Sequence, residues 1–289
     1  MSLIEAIILG IVQGITEFLP ISSTGHLTLA GKLMDLIGQP NHIISIDNPE
    51  HWTAFMAVIQ LGTLAAVLIY FLKDIINIIR SFLKENLSER KSFVNQSMDS
   101  RLGWLIIIGT IPVVIFGLSF KHLIEGNLTK NLWVISCSLI VLAIILFIAE
   151  RTAKFKKEIK DITIKDALII GIAQSCALIP GSSRSGTTIT GGLFMGLKRE
   201  SAARFSFLLS IPAVFASGLL ELKESLPYIH GEMLLNLVVS TLVAGICGYI
   251  AIDFLLKFLK KNTTYVFIAY RIILGVVILT LLFNKIIQP

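Results

Sequence analysis

The sequence predicts an all-α polytopic membrane protein with an inverted-topology repeat, each half one re-entrant helical hairpin plus three transmembrane helices. It reads as one integral domain, 1–289, with internal repeats at 1–152 and 163–289. Three observations predict this. The chain is 54% hydrophobic and only 15% charged, with a mean hydropathy of +0.81. Several apolar runs reach about 20 residues, the length that crosses roughly 30 Å of hydrocarbon, and are far too long for barrel strands. GIVQGITEFLPISSTGHL (10–27) has a counterpart in GIAQSCALIPGSSRSGTT (171–188): an apolar helical stretch, a proline, then a break rich in hydroxyls.

The elements follow in order. Residues 3–38 hold two short apolar pieces broken at Pro20, read as a hairpin that dips into the membrane and returns. A span at 52–72 leads into a basic loop, 73–101, with Lys73, Arg80, Lys84, Arg90, Lys91 and Arg101. Spans at 102–120 and 131–149 follow, then the basic segment 150–166. The second half repeats the plan: a hairpin at 166–197 broken at Pro180-Gly181, a basic turn at 198–204, and spans at 205–222, 234–256 and 265–284. Three spans per half is odd, so the halves insert with opposite orientation. The basic segments 73–101, 150–166, 198–204 and 257–264 then share one side, the cytoplasm by the positive-inside rule. The connections 39–51, 121–130 and 223–233 are poorer in Lys and Arg and lie outside with both termini. The alternative is that both hairpins span fully, giving ten helices. Inverted repeats with broken helices place their site where the breaks meet near the midplane.

Composition also excludes classes. The net charge of +6 sits in segments flanking spans, which argues against nucleic acid as the partner. Cys137, Cys176 and Cys247 have no paired spacing, so neither a disulfide framework nor a zinc motif is expected. No cleavable signal is expected either, because Glu5 interrupts the first apolar run.

The breaks carry the chemistry. Gln13 and Glu17 lie four apart and share a helix face. A carboxylate in membrane sequence is costly unless paired or bound to a cation. Glu17, with Gln13 beside it, suits a hard divalent ion. His26 titrates near neutral pH and suits proton transfer; its alternative is a structural role. Of Ser22 and Ser23, one caps the returning helix and the other reacts, with Ser23 the favoured nucleophile and Thr24 beside it. In the second break Gly181 and Gly186 permit close approach, and Ser182, Ser183, Ser185, Thr187 and Thr188 offer donors. The helix that starts there aims amides at the cavity. Arg184 adds a fork suited to phosphate oxygens; its alternative is an ion pair with Glu17. Aligned on their prolines, the two motifs differ by one residue, and nothing in 171–188 replaces Glu17 or His26.

On QGITE (13–17), LPISSTGH (19–26) and PGSSRSGTT (180–188), the sequence closely resembles undecaprenyl-diphosphate phosphatases of the bacitracin-resistance family, over essentially the whole chain. The resemblance implies hydrolysis of undecaprenyl diphosphate to undecaprenyl phosphate and inorganic phosphate, which recycles the lipid carrier for cell-wall synthesis and lowers the target of bacitracin. It also implies a divalent cation, magnesium or calcium. It further implies a homodimer in the bacterial plasma membrane, with lipid as surroundings and substrate and the active site open to the outer face. Glu17, Ser23, His26 and Arg184 are the catalytic set so implied. Gln13 assists; the family pattern allows Glu or Gln there. The competing class is a proton-coupled transporter or flippase of a polyprenyl phosphate or other anion, which the same architecture would serve.

Overall fold

A computed structural model of the chain describes residues 2–37, 49–120, 131–225 and 232–288. Those residues form α-helices α1 (Leu3–Phe18), α2 (Ser23–Ile37), α3 (Pro49–Tyr70), α4 (Leu72–Leu83), α5 (Met98–Ser119), α6 (Leu132–Thr152), α7 (Ile164–Ser175), α8 (Arg184–Phe194), α9 (Arg199–Ser225), α10 (Glu232–Lys261) and α11 (Tyr265–Phe283). No strand occurs among them; one isolated bridge pairs Lys157 with Leu197.

Helices α5, α6, α9, α10 and α11 are long and apolar enough to cross a membrane. The sixth expected span, at 52–72, falls on α3, which meets that criterion only together with α4, bent 74° from it. The poorly basic connections lie largely outside the described residues.

Three expected loops are corrected. The basic stretch 73–101 begins with α4 and one π-helical turn, Lys84–Ser88. Ile75, Ile78, Phe82 and Leu83 give it an apolar stripe at helical spacing, which the interspersed Lys73 and Arg80 obscure in sequence. The basic turn at 198–204 is mostly the first turns of α9, and Lys257, Lys260 and Lys261 belong to the end of α10, where cations complement the helix dipole.

The two hairpins are built alike. Ser2 caps α1 and Thr163 caps α7, each in a capping box closed by Glu5 and by Asp166. Leu19, held extended at φ −66°, ψ 141° ahead of Pro20, ends α1. Beyond each break the next helix restarts from a serine in the left-handed region, Ser22 at φ 77° and Ser183 at φ 68°. Each serine Oγ accepts from a glycine amide, Gly25 at 3.3 Å and Gly186 at 3.2 Å. On these markers Leu3–Gly31 matches Ile164–Gly192 without a gap. The one-residue offset seen in sequence therefore belongs to the prolines, which are displaced by one. Ser23 corresponds to Arg184, and Gln13 to Gln174.

Packing follows the same correspondence. Helix α1 lies along α10, and α7 lies along α5. Both seams are closed by glycine. A Cβ on Gly10 would stand 2.6 Å from the Ser240 carbonyl oxygen, and one on Gly171 would stand 2.2 Å from that of Gly109. Small residues that let backbones approach are how helices associate where lipid removes the hydrophobic drive. The largest buried cluster, which includes Phe18, Phe71, Phe205, Phe207 and Leu255, fills the centre between the halves.

Candidate active site

The two breaks meet. Their junction is a cavity of about 460 Å³, with Glu17, Ser22, Ser23 and Thr24 on one wall and Gly181, Ser182, Ser183 and Arg184 on the other. The C-terminal halves of α5 and α9 close it, through Val114, Ser217 and Glu221 among others.

Glu17 is the hub. It is 7% exposed. Its Oε2 accepts from Ser23 Oγ at 2.8 Å and from Gln13 Nε2 at 3.1 Å. Its Oε1 accepts from Arg184 Nη2 at 2.8 Å. The ion pair that sequence offered as the alternative for Arg184 is thus present. Nη1 of the same guanidinium is buried with no hydrogen-bond partner among the described residues, so half of the fork remains for a ligand. Gln13 is fully buried and its Oε1 also lacks a partner. Two buried polar atoms left unpaired beside one carboxylate is costly for a purely structural arrangement.

The two serines are bonded differently. Ser22 Oγ caps α2, whereas Ser23 Oγ reaches the carboxylate. His26, which the sequence offers for proton transfer or for a structural role, has both ring nitrogens engaged. Its Nδ1 lies 2.7 Å from the Ser22 carbonyl oxygen, and its Nε2 lies 2.6 Å from the Tyr270 hydroxyl, on which the ring stacks. With Nδ1–H donating to that carbonyl, Nε2 is the acceptor for Tyr270. The imidazole therefore braces the first break. The hydroxyl of Ser23 is served by Glu17.

In the second break fewer hydroxyls face the cavity than the motif suggests. Ser182 donates to the carbonyls of Cys176 and Ile179. Ser185 donates to the Leu19 carbonyl at 3.0 Å, satisfying an end of α1. Thr187 and Thr188 both donate to the Arg184 carbonyl of their own helix. Gly181 holds φ 85°, and a Cβ there would stand 2.3 Å from Ser138 Oγ. What remains for an anion is Arg184, Ser183 and the amides of the first turn of α8, which starts at the cavity wall.

Arg271, with Tyr270 before it, was missed by sequence reasoning. The signal was available, an ionisable residue inside an apolar span, but its place near the start of that span reads as interfacial. Arg271 is fully buried and donates to three backbone carbonyls: Leu139 at 3.3 Å, Gly181 at 3.5 Å and Ser182 at 3.0 Å. Its Nη1 would stand 2.8 Å from a Cβ on Gly186. One helix thus braces both breaks, Tyr270 holding the first and Arg271 the second. Arg271→Met is expected to free the Gly181 and Ser182 carbonyls and lower phosphate release about 100-fold, since bonds to a charged group contribute about 1.5–3 kcal/mol each. Arg271→Lys should recover only part, because the ammonium lacks the fork. Gln60, Gln174 and Glu221, also unflagged, line the same cavity.

The fold and site define a multi-pass helical membrane protein with a carboxylate–serine–arginine centre between two broken hairpins. The family described as bacitracin resistance protein BacA matches residues 6–277, and the chain belongs to it. It is similar to proteins named undecaprenyl-diphosphatase. One from Syntrophobacter fumaroxidans is 56% identical, covering 98% of this chain and 99% of the relative. One from Chloroherpeton thalassium is 52% identical, covering 98% and 97%. One from Myxococcus xanthus is 50% identical, covering 98% and 90%.

Proposed function

We propose that this protein hydrolyses undecaprenyl diphosphate to undecaprenyl phosphate and inorganic phosphate, recycling the lipid carrier and lowering the target of bacitracin. The observation that carries this reading is the Ser23–Glu17–Arg184 chain of contacts inside a cavity bounded by apolar spans. Arg184 Nη1 and the first amides of α8 hold the terminal phosphate. Ser23 Oγ attacks its phosphorus while Glu17 Oε2 takes the proton. The bond to the bridging oxygen breaks, and undecaprenyl phosphate leaves with that electron pair. Glu17 gives that proton up to the departing phosphate oxygen. Water then attacks the seryl phosphorus while Glu17 takes its proton and returns it to Ser23 Oγ, so the bond from Ser23 Oγ to phosphorus breaks, inorganic phosphate leaves and the serine is restored. His26 and Tyr270 keep the first break in register throughout.

The donors fit a divalent cation that is held partly by substrate. Glu17 offers one carboxylate and Gln13 an orphaned amide oxygen, and magnesium commonly takes one or two carboxylates plus phosphate oxygens. Such an ion would supply charge neutralisation on the diphosphate. Chelation with EDTA is expected to remove most activity, and added magnesium or calcium to restore it; undiminished turnover in EDTA would exclude the requirement.

We further propose that the halves are inverted repeats with re-entrant hairpins. The support is the matched caps, the matched left-handed serines and the paired seams α1–α10 and α7–α5. The cavity lies at the α5 and α9 ends far from Arg101, Arg199 and Arg204, which favours a site open to the outer face of the bacterial plasma membrane. Phosphate release from undecaprenyl diphosphate in detergent tests the enzyme reading. A transporter or flippase would release none in that setting, and would move lipid only across a sealed bilayer.

A further inference from the structure

A second cavity adjoins the site. It is about 710 Å³, lies between α4, α5 and α9, and is lined by Ile75, Ile79, Ile107, Ile111 and Phe215 among others. Thr110 is the one hydroxyl on its wall, and that hydroxyl donates to the Ile106 carbonyl at 2.7 Å. Val114 belongs to the walls of both cavities. On α9, Ile211, Pro212 and Phe215 face the apolar cavity, and the interleaved Ala213, Val214 and Ser217 face the polar one.

By the repeat correspondence, the seam between α5 and α9 is matched by that between α10 and α3. The latter is shut. A Cβ on Gly62 of α3 would stand 2.1 Å from the Thr241 carbonyl oxygen, and one on Gly245 3.1 Å from that of Gly62. At the α5–α9 seam, branched side chains such as Ile107, Ile111 and Ile211 stand instead, and a groove remains. One of two equivalent seams is therefore open, and it is the one that runs into the catalytic cavity.

We propose that this groove binds the head-proximal isoprene units of the polyprenyl substrate, so that α4, α5 and α9 grip the tail instead of leaving it in bulk lipid. The inference rests on the diphosphate reading. Continuity selects the occupant: a chain lying in the groove ends at Val114, beside Ser183 and Arg184, where its head must be a phosphate ester. Wall and tail are both hydrocarbon, so recognition is by shape, and a groove of this kind discriminates by about 10–200-fold per contact removed.

The test compares undecaprenyl diphosphate with geranyl diphosphate, which shares the head and lacks most of the tail. In Ile111→Trp the kcat/KM ratio of the long over the short substrate is expected to fall at least about tenfold. Ile69→Trp, at an exposed side chain that does not line the groove, should leave that ratio unchanged. An unchanged ratio in Ile111→Trp overturns the proposal. If that variant loses both activities together, the wild-type protein decides by photolabelling with a polyprenyl diphosphate carrying a diazirine near the head. Label in Leu72–Leu83, Met98–Ser119 or Arg199–Ser225 supports the groove. Label confined to other helices, or competed equally by phospholipid so that only acyl chains fill the groove, overturns it. Failure of the wild type to cleave either diphosphate would sink the activity instead, and the label would still report the groove.

Discussion

Glu17→Gln is expected to lower kcat for phosphate release about 1,000-fold, inside the range of about 10²–10⁴ that a positioned general base contributes. The substitution keeps the shape and removes the group that accepts from Ser23 at 2.8 Å. It also leaves Arg184, 14% exposed at its side chain, without its counter-charge. Breaking a buried pair on one side costs about 3–5 kcal/mol, so the thermal midpoint in detergent should fall as well. The double variant Glu17→Gln/Arg184→Gln separates the two effects. It is expected to recover stability, because no charge is stranded, and to stay inactive. A double variant with restored turnover would remove Glu17 and Arg184 from the chemistry.

Ser23→Ala and Ser22→Ala are adjacent substitutions with opposite expected outcomes. Ser23→Ala should cost about 1,000-fold or more in kcat, because among the described residues no other hydroxyl is bonded to Glu17. Ser22→Ala loses the bond to the Gly25 amide, a helix cap that contributes about 1 kcal/mol, and should lower stability while leaving turnover within a few-fold. Ser22→Gly should be milder still, since glycine adopts the left-handed φ of 77° without strain. Turnover of Ser23→Ala near the wild-type rate would assign the attack to water activated by Glu17. A seryl phosphate trapped on the wild type by rapid quench, and absent from Ser23→Ala, would secure the covalent route.

Much of this was legible in the sequence, for definite physical reasons. Glu17 and Arg184 stand out because a charge in apolar sequence has few innocent explanations. Ser23 could be separated from Ser22 because a restarting helix needs a cap and one serine suffices. The long spans are legible because hydrocarbon thickness fixes their length. Other features were hidden. Helix α4 reads as a loop because it opens a 73–101 stretch carrying six lysines and arginines, while its isoleucine stripe shows only on a helical projection. Thr187 and Thr188 look like phosphate donors because a motif counts hydroxyls and not the carbonyls one turn back that claim them. The contact of His26 on α2 with Tyr270 on α11 joins residues 244 positions apart, and one sequence does not state it. Arg271 depends on which helix lies behind the second break, and one sequence does not state that contact.

The Glu17–Arg184 contact makes the resting centre electrically closed: each charge is the other's counter-ion. An arriving anion meets a guanidinium whose charge Glu17 already balances, and takes hold only through the free Nη1. A free phosphate or a monophosphate ester offers one phosphoryl group for that contact, whereas a diphosphate offers two, enough to engage Arg184 and the α8 amides together. The arrangement acts as a threshold. It admits the substrate and sheds both products, so the enzyme is expected to work in a membrane rich in undecaprenyl phosphate with little product inhibition.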